Sequence, residues 1–111
     1  MLFRSLIAPT EYLEPSACVV SEAQLCGTPV LASNWGGFPE YVEHLKSGVL
    51  CNTLEEYVRA IDCIGMIDRD YVRARARALF GWQAGKSAYQ RYFARVPAFQ
   101  PAPSAVHQLT E

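Results

Sequence analysis

The chain has 111 residues, half of them hydrophobic and 19% charged, a composition that excludes a disordered or fibrous chain and suits one globular domain with a modest core. Its formal net charge of −1 argues against a general binder of nucleic acid or anionic membrane, which needs a basic surplus. Cys18, Cys26, Cys51 and Cys63 have no C-x-x-C spacing and two histidines accompany them, so no metal site is expected and the thiols read as reduced and mostly buried.

Leu2 to Ala8 is a short, nearly continuous apolar run of the kind that forms a parallel strand buried on both faces. Pro9 interrupts it before a signal-peptide h-region can form, and no apolar run approaches the ~20 residues of a membrane span. The expected location is therefore cytoplasmic, free or peripheral to the inner membrane face. Pro9 to Leu13 makes the loop at the carboxyl end of this strand, the edge of an open α/β sheet where ligands bind. A helix is predicted from about Ser16 to Cys26, with Val19, Val20, Ala23 and Cys26 as its apolar stripe and Gly27 as its C′ residue. Val30 to Ala32 is the second strand. Gly36 and Gly37 permit an unusual turn after it, and Pro39 opens a short helix running to about Leu45. Trp35 and Phe38 fit either the core or the floor of a cleft, and His44 reads as a surface residue.

Val49 to Cys51 forms a third brief strand. Thr53 and Glu56 have the spacing of a capping box, and Leu54, Tyr57, Val58, Ile61 and Ile64 follow at helical spacing, one face for packing on the sheet. Asp68 or Asp70 caps the next helix, which carries Val72, Ala76, Leu79 and Phe80 inward and its arginines outward to solvent. After Gly81 a last helix with Tyr89, Tyr92 and Phe93 ends before Pro97. Gly81 and Gly85-Lys86-Ser87 do not make a phosphate loop, because three residues rather than four separate the glycines and no strand precedes them. Residues 1–96 are read as one incomplete α/β domain and residues 97–111 as a disordered Pro-rich tail.

The first strand, helix and second strand suggest chemistry. With the helix starting near Ser16, Glu22 lies roughly 9 Å along its axis at ~1.5 Å per residue, while Glu14 stays in the loop before it. Between them is the helix tip, whose free N–H groups and dipole suit a phosphate or diphosphate. A carboxylate on either side can accept hydrogen bonds from hydroxyl groups at the two ends of a phosphate-linked ligand. A nucleotide sugar has that layout.

Glu14-Pro15, Glu22-Ala23, Cys26-Gly27-Thr28-Pro29-Val30 and Gly36-Gly37-Phe38-Pro39-Glu40, in that order and spacing, resemble the signature of retaining glycosyltransferases of family 4. The likeness is close over about residues 2 to 50. It implies the C-terminal, donor-binding half of a two-domain GT-B architecture, here a partial Rossmann-like parallel sheet flanked by helices. It further implies that Glu14 sits by the donor sugar as the catalytic carboxylate and that Glu22 holds the ribose. Ser16, Ala17, Gly36 and Gly37 are implied to line the donor site, with no metal and no cofactor beyond the nucleotide diphosphate sugar. The family usually has Phe-Gly where this chain has Ser16-Ala17, which removes the backbone freedom of a glycine near the phosphates.

Three strands are few for a nucleotide-binding domain, whose sheet commonly runs to five or six. The first strand is expected to leave an open edge for a partner chain or for a missing N-terminal domain. Two functions follow from the sequence. One is a glycosyltransferase fragment that moves a sugar from a nucleotide diphosphate sugar to an unknown acceptor with retention, inactive as the isolated 111-residue chain. The other is a non-catalytic, truncated or degenerate half-domain that binds nucleotide weakly or serves as an association module.

Overall fold

A computed structural model describes residues 4–96. The start of the predicted first strand, at Leu2 and Phe3, and the predicted disordered tail from Pro97 lie outside the described residues. Three parallel strands, β1 (Leu6–Ala8), β2 (Val30–Ser33) and β3 (Gly48–Cys51), form a sheet in the order β1-β2-β3. Their register sets Leu6, Ile7 and Ala8 beside Val30, Leu31 and Ala32, and Val30 through Ser33 beside Gly48 through Cys51. Helices α1 (Cys18–Leu25) and α2 (Phe38–Tyr41) make the two crossovers, and α3 (Leu54–Cys63), a single 3₁₀ turn (Ile64–Met66), α4 (Arg69–Phe80) and α5 (Trp82–Phe93) follow. The α/β class and the parallel sheet are as the sequence predicts.

The alternation of side chains along β2 divides the core. Val30 and Ala32 point to one side, where they meet Ala17, Val20, Phe38 and Val42 from α1, α2 and their flanks. Leu31 points to the other, where Val49, Cys51, Ala60 and Ile64 close over it. Burying both faces explains why β2 reads as an unbroken apolar run. β1 differs: Ile7 is 49% exposed, and among the described residues β1 pairs only with β2. The expected two-sided burial of the first strand is thus not met on its outer side, and its edge is open, as the strand count predicts.

Local signals place most helix ends. Gly27 stands at φ +74° after α1, where its amide bonds the Gln24 carbonyl. The Thr53 hydroxyl accepts the Glu56 N–H at the start of α3, and the Glu56 carboxylate returns first to the amide of Asn52 and also to that of Thr53. Asp68, of the two aspartates considered, caps α4 through Oδ1 to the amides of Asp70 and Tyr71.

Several expectations about the helices change. On α3 the side packed inward is Tyr57, Ala60 and Ile64, whereas Leu54, Val58 and Ile61 of the predicted stripe are exposed. The helix from Pro39 stops at Tyr41, and the chain turns back through Leu45, which holds a left-handed φ of 64°. The arginines of α4 are not simply solvated. Arg73 donates to the carbonyl of Cys26 just past α1, at 3.2 Å, and Arg75 donates to the carbonyl of Tyr41 at the end of α2, at 2.9 Å. Those carbonyls have no partner further along their own helices, so cationic donors from α4 satisfy them and complement both dipoles. Val72 and Ala76 pack inward as predicted while Leu79 is exposed, and Tyr41 stacks on Phe80 at 5.2 Å. The thiols also divide: Cys51 is buried and Cys63 half-buried, but Cys18 and Cys26 are exposed, and all four are free.

Candidate functional site

The loop after β1 is held by the loop after β2. Gly37 donates its N–H to the Glu14 carbonyl at 2.7 Å. A Cβ on Gly36 would lie 2.8 Å from the Glu14 amide nitrogen, and one on Gly37 would lie 2.9 Å from the Glu14 carbonyl oxygen. Gly36 also needs its φ of +60°, which a side chain disfavours. The two glycines therefore let the second loop press against the backbone of Glu14 and Pro15. Phe38, buried beside them in the core, anchors the same loop from below.

The Glu14 side chain is half-buried and both of its oxygens are engaged. Oε2 accepts the Tyr12 hydroxyl at 2.7 Å, and Oε1 accepts the Ser16 amide at 3.2 Å. That hydrogen bond to Glu14, with the nearby negative charge, pushes the Tyr12 phenol above its ordinary range. Ser16 Oγ lies 3.1 Å from the Tyr41 hydroxyl and 3.7 Å from Cys18 Sγ. Ala17 is 2% exposed, with its methyl group in the core.

These contacts move the start of α1 two residues beyond the expected Ser16. No side chain caps it. The amide of Cys18 bonds the Ser16 carbonyl, and those of Val20 and Ser21 bond the Ala17 carbonyl. Of the donors expected at the helix tip, Ser16 N–H already belongs to Glu14, and the N–H groups of Ala17 and Val19 have no partner among the described residues.

Glu22 sits in the second turn of α1, about 6 Å along the axis from Cys18 at 1.5 Å per residue. It is exposed and lines a hollow of ≈ 340 Å³ with Ser5, Leu6, Val19, Ala23, Cys26 and Thr28, against the start of β1. That hollow does not include Glu14. Thus the fold gathers Glu14, Ser16, Ala17, Gly36 and Gly37 into one loop cluster and sets Glu22 on the neighbouring outer face of the helix. Of the two aromatic residues left open between core and cleft, Phe38 is core, and Trp35 is 39% exposed and lines a hollow with Thr10, Ser33 and Tyr57 at the carboxyl ends of the strands.

Sequence reasoning missed Tyr12 and Tyr41. The signal for Tyr12 was its i, i+2 spacing to Glu14, which in extended chain points both side chains the same way. Nothing local marks Tyr41, whose partner Ser16 is 25 residues away. Among the described residues no three His, Cys, Asp or Glu side chains are grouped to hold a metal, and no helix is long and apolar enough to cross a membrane.

Residues 4–75 match the family described as glycosyl transferases group 1. The chain is 35% identical over 101 residues to a D-inositol 3-phosphate glycosyltransferase of Corynebacterium jeikeium, an alignment covering 83% of this chain and 24% of that protein. It is 40% identical over 93 residues to proteins of the same name from Mycobacterium bovis and Mycobacterium tuberculosis, covering 74% of this chain and 19% of each. It spans, then, about a quarter to a fifth of the length of these curated relatives. With the motifs around Glu14, Glu22 and Gly36-Gly37 lying inside the matched residues, the chain belongs to the glycosyl transferases group 1 family.

Proposed function

We propose that this chain carries donor-site residues of a glycosyltransferase that moves a sugar from a nucleotide diphosphate sugar to a hydroxyl acceptor with retention at the anomeric carbon. Glu14 faces the donor sugar and Glu22 holds the ribose. The amides of Ala17 and Val19 at the start of α1, which have no partner among the described residues, with Ser16 and the Gly36-Gly37 turn beside them, receive the diphosphate. The observation that supports this reading most is the double hold on Glu14: its backbone is clamped by Gly37 and its carboxylate by Tyr12 and Ser16. A catalytic carboxylate needs such fixed geometry, since misplacement by an ångström is costly in rate.

In this mechanism the departing diphosphate gains charge as the sugar bond breaks, and oriented N–H donors and the helix dipole stabilise it. No metal is assigned to the step. The acceptor class to test first is the one named in the relatives, D-inositol 3-phosphate. Among the described residues no lysine or arginine bonds the Glu14 carboxylate or Ser16, so part of the charge stabilisation that such a reaction needs is not supplied by those contacts. The isolated chain is accordingly proposed to bind donor without turning it over.

Calorimetric titration with uridine, guanosine and adenosine diphosphates tests the reading. Saturable binding to one of them, reduced about tenfold by Glu22→Gln, the loss expected for a charge-assisted hydrogen bond, is the expected result. The absence of saturable binding, or binding unchanged in Glu22→Gln, contradicts it and favours the non-catalytic association module, for which the open edge of β1 is the supporting observation.

A further inference from the structure

We propose that Tyr12 is a positioning residue for Glu14, fixing the orientation of its carboxylate before a donor arrives. This inference rests on the reading of Glu14 as the carboxylate at the donor sugar.

The backbone of Glu14 has little freedom, because the Gly37 amide bonds its carbonyl and Gly36 and Gly37 pack against it at distances that exclude even a methyl group. Its side chain is different. A glutamate has three rotatable bonds and, on a half-buried loop, several staggered conformers open to it. A hydrogen bond from Ser16 N–H to Oε1 restrains one oxygen and leaves the carboxylate free to swing about it. The second bond, Tyr12 Oη to Oε2 at 2.7 Å, removes that freedom. Two donors on two different oxygens fix both the position and the plane of the group. Neither uses up its oxygen, since an ionised carboxylate has about four lone-pair sites and two remain for the hydroxyl groups of a ligand.

Packing gives no other reason for a tyrosine here. Tyr12 is 65% exposed, its ring stacks on no other aromatic residue among the described ones, and its hydrogen-bond partner is Glu14. The raised phenol pKa, caused first by that hydrogen bond, gives the pair a signature in solution that needs no ligand.

Two measurements on the full chain test the proposal. In a pH titration followed by ¹³C NMR of the tyrosine ring carbons, the Tyr12 phenol should titrate above that of Tyr12 in Glu14→Ala. An identical titration in the two proteins overturns the proposal at its first step. In calorimetry with uridine, guanosine and adenosine diphosphates and their glucose esters, Tyr12→Phe should cut the added affinity contributed by the sugar by about fivefold, the scale of one solvent-accessible hydrogen bond. It should leave the affinity for the diphosphate and the melting temperature unchanged. Glu14→Ala should remove the same increment, and the double variant should lose no more than Glu14→Ala alone, because the two residues act as a unit. Equal losses for diphosphate and glucose ester, or an intact increment in Tyr12→Phe, overturn the positioning role while the donor reading stands. Binding of none of the probes by the unaltered chain overturns the donor reading itself, and the role of Tyr12 with it.

Discussion

Glu14 and Glu22 are eight positions apart and live in opposite circumstances. The Glu14 loop is held from every side by the chain itself: glycines against its backbone, Phe38 beneath the neighbouring turn, and Tyr12 and Ser16 on its carboxylate. The outer face of α1 that carries Glu22 is open, and an apolar hollow beside the unpaired edge of β1 adjoins it. The contrast teaches that the chain itself fixes the Glu14 carboxylate at one end of the proposed donor site, whereas at the other the Glu22 side chain is left open to solvent.

The largest effect is expected from undercutting the rigid side. Phe38→Ala removes a buried ring from the core beneath the Gly36-Gly37 turn and should cost about 3–5 kcal/mol of stability, read from urea denaturation. A cost under 1 kcal/mol would show that the turn does not depend on the core. Next comes Gly36→Ala, which should cost about 1–2 kcal/mol for its left-handed φ. The new methyl group, 2.8 Å from the Glu14 nitrogen, should also shift the amide resonances of Glu14 and Ser16. On the open side, Glu22→Gln should weaken nucleoside diphosphate about tenfold with no change in melting temperature, because its exposed side chain supports no packing.

Leu45 sharpens the same contrast. It shares a left-handed φ with Gly36 but is 63% exposed and lies away from the Glu14 loop, so its strain serves no contact there. Leu45→Gly should stabilise the chain by up to about 1 kcal/mol and leave ligand affinity unaltered, measured by thermal melting and calorimetry.

The smallest effect concerns acid. Hydrogen bonds from Lys46 and Tyr71, aided by Arg75, hold the Glu43 carboxyl below the ordinary carboxylate range. A depressed folded pKa gives stability that is present above the unfolded value and is lost as pH falls through the folded one. Urea midpoints should therefore fall as pH drops below the ordinary glutamate range, with a shallower slope in Glu43→Gln. The slope that remains includes Glu56, lowered first by the amide of Asn52. Both carboxyls are half-buried and still reached by solvent, which screens them, so the change is small.

What could be read from residues alone was local. Gly27, Thr53 and the pair Asp68 and Asp70 announced helix ends through chemistry contained within a few positions, and the apolar run ending at Ala8 announced a parallel sheet. The helix α1 starts two residues beyond Ser16, whose hydroxyl faces Tyr41 across a separation of 25 positions that no local signal reveals. The arginines of α4 looked like a solvated face because nothing near them in the chain reveals that Cys26 and Tyr41 would present bare carbonyls to Arg73 and Arg75. At the site, the glutamate pair and the paired glycines were legible as a motif. The reason for the glycines was not: their small size is used against the backbone of Glu14, a contact between loops more than twenty residues apart.

The held loop and the open helix face are proposed to serve one ligand. Amide chemical-shift mapping during titration with the tightest-binding nucleotide diphosphate sugar tests it most directly. The expected result is that resonances of Glu14, Ser16 to Val19, Gly36 and Gly37 move together with those of Ser21 to Ala23 along a single binding curve. Movement confined to one of the two groups, or two curves with different midpoints, would contradict it.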